Sequence, residues 1–412
     1  MPTNSIPLPT APPVPAYKAM PAILRGRGGE VRALYIHIPF CTYKCDYCDF
    51  YSLAGHADEY GRYLDTLERQ MRLETEFLGP IFPETVFIGG GTPTLLPPDD
   101  LRRLMVAIRK FCPPTQLVEF TVESNPNTFD AARAAVLADA GVNRISFGAQ
   151  SFQPAELTAL QRDHDPQSVG RAVQMARAAG ITNINLDLIY AIPGQTLRSL
   201  NDNLDAALAL EPEHLSCYGL MYEPNTPMTA RLRRGQINPV GEELELEMME
   251  LVSRRLRSAG FERYEISNWS KPDRACRHNL HYWNAANHLA WGVSASGHHS
   301  GVRWKYVSSL HRYCDALESG RLPLVELEQL SPARRRAEAA VLQLRLAAGI
   351  DPRAFQDCTD EAVVKKLSDV IQKYQLGGLL TLRSGGAIAL TDAGVAVSDT
   401  IFSDVFAALD GE

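Results

Sequence analysis

The chain has 412 residues, 45% hydrophobic and 22% charged, with a formal net charge of −7, the composition of a globular protein able to bury one large core and a smaller one. The acidic balance argues against general nucleic-acid affinity, which needs a basic excess, and no apolar run reaches membrane-span length. Eight cysteines in a chain of this size, with no secretory signal ahead of them, exclude a disulfide scaffold and point to a reducing cytoplasm.

Residues 1–21 carry seven prolines and almost no charge, so residues 1–30 read as a flexible, partly polyproline-type lead. Over residues 31–240, apolar strand-like runs alternate with amphipathic helical segments. The strands are expected at Leu34–Ile38, Thr85–Ile88, Leu117–Val122, Val142–Phe147, Ile184–Ile189 and His214–Tyr218. The helices are expected at Asp58–Phe77, Asp99–Phe111, Asp130–Ala140, Gln167–Ala179 and Leu197–Leu210. Thr128 reads as the cap of the third helix, and Gly141 and Gly180 as the stops of the third and fourth. Six βα units in series predict an α/β fold with a parallel sheet covered by helices. Residues 241–330 are less regular, and the stretch 278–311 alone holds six of the ten histidines.

From Ser331 a helix is expected through Leu346 and another over Glu361–Tyr374. Leu379–Leu390 alternates about a Ser-Gly-Gly turn as a β-hairpin. Helices followed by a hairpin predict a C-terminal winged-helix-like α+β domain over 331–412. Its nine Lys/Arg against eleven Asp/Glu favour a packing or lid role over DNA binding.

Chemistry concentrates at Cys41-Thr-Tyr-Lys-Cys45-Asp-Tyr-Cys48, three thiols spaced C-x3-C-x2-C directly after the first strand. Three close cysteines can hold three irons of a cubane and leave the fourth open to a reacting ligand, whereas a closed structural site wants four protein ligands. A zinc knuckle lacks a fourth partner, because His37 and His56 make no familiar zinc spacing with these thiols. The motif, so placed, resembles that of the radical S-adenosylmethionine (SAM) superfamily. The resemblance implies a partial (β/α)6 TIM-type barrel, a 4Fe–4S cluster on Cys41, Cys45 and Cys48, SAM on the open iron and an electron donor such as a flavodoxin-type reductant. It also implies that the site lies at the carboxyl ends of the strands.

Further motifs sit at or near such ends. Gly89-Gly90-Gly91-Thr92 follows the second strand, where glycines let backbone groups approach a ligand. Glu123 ends the third strand, a carboxylate able to accept from ribose hydroxyls. Gln150 ends the fourth, Arg162 follows it, and Asp187 is a charge within a very apolar strand, costly unless paired; Arg162 is its natural partner. Tyr35 and Tyr47 flank the cysteines. These positions match SAM-contacting residues of the anaerobic coproporphyrinogen III oxidase group, which the chain resembles from about Leu34 to near its carboxyl end.

Two branches of that group differ in function. The oxygen-independent coproporphyrinogen III oxidases extend the cysteine motif to C-x3-C-x2-C-x-C, where this chain has Phe50, and carry a longer N-terminal arm. The haem chaperones carry H-N-x-x-Y-W, present here as His278-Asn279-Leu280-His281-Tyr282-Trp283. Imidazole ligates haem iron, and Tyr and Trp offer flat apolar surface to a porphyrin. On a helix, His278 and His281 would share a face, and Cys276 is a further candidate ligand. The chain therefore resembles the haem chaperones, which implies haem as ligand and a haem-acceptor protein as partner. The alternative is the oxygen-independent coproporphyrinogen III oxidase.

Overall fold

A computed structural model describes residues 16–351, 360–383 and 385–410, without the side chains of 16–18. The proline-rich residues 1–15 lie outside the described residues. The remainder of the expected lead is ordered: α1 (Ala16–Ile23) and the turn after it bury Met20 and Leu24 completely.

All six expected strands form. β1 (Ala33–Ile38), β2 (Thr85–Gly90), β3 (Glu119–Ser124), β4 (Arg144–Gln150), β5 (Asn183–Tyr190) and β6 (His214–Gly219) pair in parallel and in chain order. Leu34 stands beside Val86, Val86 beside Phe120, Ile145 beside Ile184 and Leu186 beside Leu215. These strands are buried nearly throughout, because helices cover the outer face while side chains fill the barrel. The intervening helices are α2 (Tyr60–Leu78), α3 (Pro98–Phe111), α4 (Ala131–Asp139), α5 (Pro154–Ala159), α6 (Pro166–Ala178) and α7 (Leu197–Leu208). Local chemistry fixes their ends. Thr196 and Ser199 make a capping box on α7, and Gly141 and Gly180 take φ of 81° and 92° just past α4 and α6. Asp130, not Thr128, caps α4, accepting from Arg133 N at 2.8 Å; the Thr128 hydroxyl donates to Asn125 O instead. The short α5 has too little apolar periodicity to be read from sequence.

Residues 241–330 extend the barrel sheet at both edges. After α8 (Pro227–Arg233) and α9 (Glu242–Ser258), the chain forms β7 (Glu262–Arg263) and β8 (Asn268–Ser270); β8 pairs antiparallel with β6, and β7 antiparallel with β8. Past α10 (Arg277–Trp283), β9 (His288–Trp291) pairs in parallel with β1, a seventh parallel strand. β10 (Ser296–His299), β11 (Val302–Tyr306) and β12 (Leu324–Gln329) complete a 12-stranded sheet, with α11 (Leu310–Glu318) lying between β11 and β12 in the chain. With β9 against β1, the first and sixth strands do not meet, and the barrel stays open.

The C-terminal residues build their own core. In it α12 (Pro332–Leu344), α13 (Glu361–Leu376), the hairpin β13 (Leu380–Leu382) and β14 (Ile388–Leu390), α14 (Asp392–Ala396) and α15 (Ser398–Asp410) bury Leu344, Leu367, Tyr374, Leu380, Ile401 and Val405. The hairpin is present as expected, although Ser384 of its turn lies outside the described residues.

Candidate functional site

A cavity of about 560 Å³ opens at the carboxyl ends of the parallel strands. Cys41, Cys45, Cys48, Tyr47, Gly90, Gly91, Thr92, Glu123, Gln150, Arg162 and Asp187 all line it. Residues more than a hundred positions apart meet because each ends, or closely follows, a neighbouring strand. Tyr35 is the exception. It sits inside the barrel beside the cavity, its hydroxyl 3.0 Å from His37 Nδ1 and its ring stacked on Phe87.

The cysteine loop leaves a short strand pair, Phe40–Cys41 with Leu53–Ala54. It is clamped from outside by Arg231 on Asp46 at 3.0 Å, by Met228 N on Asp46 O at 3.0 Å, and by Asp163 N donating to the Tyr43 hydroxyl at 3.1 Å. Burial raises the Cys41 thiol, against hydrogen bonds from Thr92 and Ser52, and pushes Cys48 up to about 11; bound metal would favour the thiolate form of both. Among the described residues no three His, Cys, Asp or Glu side chains gather tightly enough for a single ion. A cubane does not ask for that, since each thiolate takes its own iron.

The glycines are dictated by crowding. A Cβ on Gly91 would lie 2.6 Å from Phe40 O, one on Gly89 would collide with the Glu123 carboxylate, and one on Gly90, at φ 107°, would collide with the His37 ring. Gly90 N donates to Glu123 Oε2 at 3.0 Å. Burial, and then the nearby Asp187, raise Glu123 to about 7; burial also raises Asp187. The expected Arg162–Asp187 pair does not form. Asp187 accepts from Asn185 Nδ2 at 2.8 Å and Ser146 Oγ at 3.1 Å, while Arg162 donates to Gly148 O at 2.6 Å and lies 3.6 Å from Cys45 Sγ. Asn185 on β5 and Ser146 on β4 satisfy the buried carboxylate with hydrogen bonds from uncharged donors, which leaves the guanidinium to the cysteine loop.

The His278 motif lies elsewhere. His278 is 1% exposed, with Nδ1 2.8 Å from Thr85 Oγ1 and Nε2 2.9 Å from the Tyr282 hydroxyl. Its ring lies 5.1 Å from Phe87 and 4.7 Å from Tyr282 between centroids. Thr85 begins β2 whereas Gly90 ends it, so His278 sits roughly 16 Å below the cavity by strand rise. Both His278 nitrogens are engaged in hydrogen bonds inside the core in this structure. His281, half-buried, points at Glu84, 3.4 Å away. Cys276, whose thiol burial pushes up to about 12, lies 3.4 Å from Glu119, which also accepts from Arg277 N and His278 N. Trp283 packs against the Arg345 guanidinium at 4.5 Å, tying the motif to the C-terminal core.

Several lining residues were not assigned to the site from the sequence. Ser146, Gly148, Asn125 and Glu223 carry no motif, and Phe50 entered only as the counterpart of a missing cysteine. Tyr43 and Met221 also line the cavity, while Ala191 is buried and does not.

Comparison with known proteins agrees with this geometry. Residues 35–207 match the Radical SAM superfamily and residues 330–397 the HemN C-terminal domain. The chain is 34% identical over 373 residues to the heme chaperone HemW of Bacillus subtilis, covering 90% of this chain and 98% of that one. It is 34% identical over 370 residues to heme chaperone HemW of Mycobacterium tuberculosis (89% and 94% covered) and 38% identical over 266 residues to that of Escherichia coli (64% and 69%). In fold it is similar to coproporphyrinogen III oxidase (HemN) from Escherichia coli, with a TM-score of 0.82 at 20% identity over 94% of this chain and 93% of that one. The superfamily implies SAM and a 4Fe–4S cluster. Three soft thiol donors on one clamped loop, facing a cavity with glycine backbone and two carboxylates, fit both. With that identity across nine-tenths of its length, the chain belongs to the HemW heme chaperone family within the radical SAM superfamily.

Proposed function

We propose that this protein binds haem and hands it to an acceptor protein, on a scaffold that carries a 4Fe–4S cluster and SAM. The observation that supports this most is identity at 34% with proteins named heme chaperone HemW over nearly their full length. Phe50, standing where the oxidases have a fourth cysteine, weighs in the same direction. The likeness to coproporphyrinogen III oxidase, at 20% identity, speaks to fold alone.

In this reading Cys41, Cys45 and Cys48 hold the cluster, and Arg162 beside Cys45 offsets the charge of that thiolate. Gly90, Gly91 and Thr92 present backbone to the methionyl end of SAM, Glu123 accepts from the ribose, and Gln150, Asp187, Tyr47 and Tyr35 complete its surround. When bound, the cluster and SAM supply one-electron chemistry; the chain's own part is to hold and orient them and to limit water. A flavodoxin-type reductant is the electron donor of this proposal. Seven free cysteines among the described residues suit the cytoplasm, and no described helix is long and apolar enough to cross a membrane.

The test is haem transfer. Haem-loaded protein mixed with an apo-haemoprotein should pass its haem on, and the same preparation given coproporphyrinogen, SAM and reductant should yield no decarboxylated product. Product formation without haem transfer would restore the oxidase.

A further inference from the structure

One level below the Asp187 carboxylate, the barrel interior holds a row of polar side chains where a packed barrel core carries Val, Ile or Leu. Register sets the row: Ser146 of β4 stands beside Asn185 of β5, and Asn185 beside His214 of β6. All three are buried, His214 completely. Asn185 lies two residues before Asp187 on the same strand, so the two side chains share the inner face. Asp187 and Ser146 line the cavity whereas Asn185 and His214 do not, so this pair acts from beneath the floor.

The hydrogen bonds of the row run in one direction. Asn185 Nδ2 donates to Asp187 Oδ1 at 2.8 Å, which leaves the amide oxygen facing the other way. That oxygen lies 2.6 Å from His214 Nδ1 and accepts from Ser216 Oγ at 3.2 Å. An amide oxygen only accepts, so His214 Nδ1 carries the ring proton. Nε2, 2.9 Å from the Tyr264 hydroxyl, is then the acceptor of that O–H. Burial, and then the Arg144 charge, hold the ring neutral, as an imidazole with one proton requires. Turned over, the Asn185 amide would set its oxygen against the carboxylate. Arg144 also acts on Asp187 by charge, but no hydrogen bond joins them among the described residues. The amide, not the guanidinium, orients the carboxylate.

We infer that His214 is a positioning residue of the SAM site: its Nδ1–H fixes the Asn185 amide, which in turn holds the Asp187 carboxylate facing the cavity. This rests on the reading of Asp187 as part of the SAM surround and adds what aims it.

The test is SAM binding by calorimetry to the full chain, its cluster reconstituted anaerobically and no reductant present. Iron content and thermal midpoint are recorded for every variant. His214→Leu should weaken SAM roughly tenfold. His214→Asn, whose amide can donate from the place of Nδ1, should stay within about threefold of wild type. In an Asp187→Asn background, His214→Leu should add less than about twofold, because it acts through that carboxylate. A merely structural loss would repeat there in full. Tyr264→Phe, which takes one hydroxyl from Nε2, carries the test where His214→Leu does not fold, and should weaken SAM about threefold. Wild-type affinity in both His214→Leu and Tyr264→Phe, or a full repeat of the loss beside Asp187→Asn, would overturn the positioning role and leave the SAM reading standing. No SAM binding by cluster-loaded wild type would overturn both.

Discussion

Replacing His278 with Ala separates a haem ligand from a core strut. The ring is buried, packs against Phe87 and Tyr282, and takes part in hydrogen bonds of 2.8 Å to Thr85 and 2.9 Å to Tyr282. Truncation leaves two buried hydroxyls without that partner, at a cost of about 1–3 kcal/mol where the group stays unsatisfied. Loss of the packed ring adds about 1–2 kcal/mol. The sum, about 4 kcal/mol, should lower the thermal unfolding midpoint by roughly 5–10 °C. His281→Ala, which loses only a half-exposed contact with Glu84, should cost less than about 1 kcal/mol. Thermal unfolding followed by circular dichroism reads both, and haem titration on the same samples reads ligation. His278→Ala protein that keeps its midpoint but loses its Soret shift would refute the structural role, because a ligand facing solvent can be removed without loss of core.

Other consequences can be checked independently. Gly91→Ala forces a Cβ to within 2.6 Å of Phe40 O, so SAM affinity measured by calorimetry should drop by at least about tenfold, with stability lower by roughly 2 kcal/mol. Because Glu123 is raised to about 7, its carboxylate form fades below neutrality, and affinity for cationic SAM should rise between roughly pH 6 and 8; in Glu123→Gln that pH dependence should flatten. Glu265 is buried and pairs with Arg345 at 3.5 Å, and Arg345 also covers Trp283. Arg345→Ala should therefore destabilise by about 3 kcal/mol and loosen the C-terminal core from the barrel, seen as faster hydrogen exchange in α10 and α12.

The βα repeat was legible because each strand is a short apolar run and each helix has a clear apolar face, so the ends of the six parallel strands were placed within three residues. The edge strands β7 to β12 were not, since four of them are four residues or fewer and their pairing is decided by what the barrel leaves open. Motif residues at strand ends were found because the topology brings every carboxyl end to one place. Arg162 and Asp187 illustrate the boundary: the sequence marks both as buried charges, but only packing decides that Asn185 and Ser146 satisfy the carboxylate while the guanidinium turns to Cys45. His278 shows the same limit in reverse. A histidine beside aromatic residues reads alike whether it faces a ligand or the core, and its hydrogen bonds with Thr85 and Tyr282 cannot be seen in a one-dimensional pattern.

The most direct measurement is haem transfer from the loaded full-length protein to an apo-haemoprotein, with porphyrinogen conversion assayed on the same anaerobic sample. Saturation near one haem per chain, followed by transfer and no decarboxylated product, is the predicted result. Turnover of porphyrinogen with no saturable haem binding would contradict it.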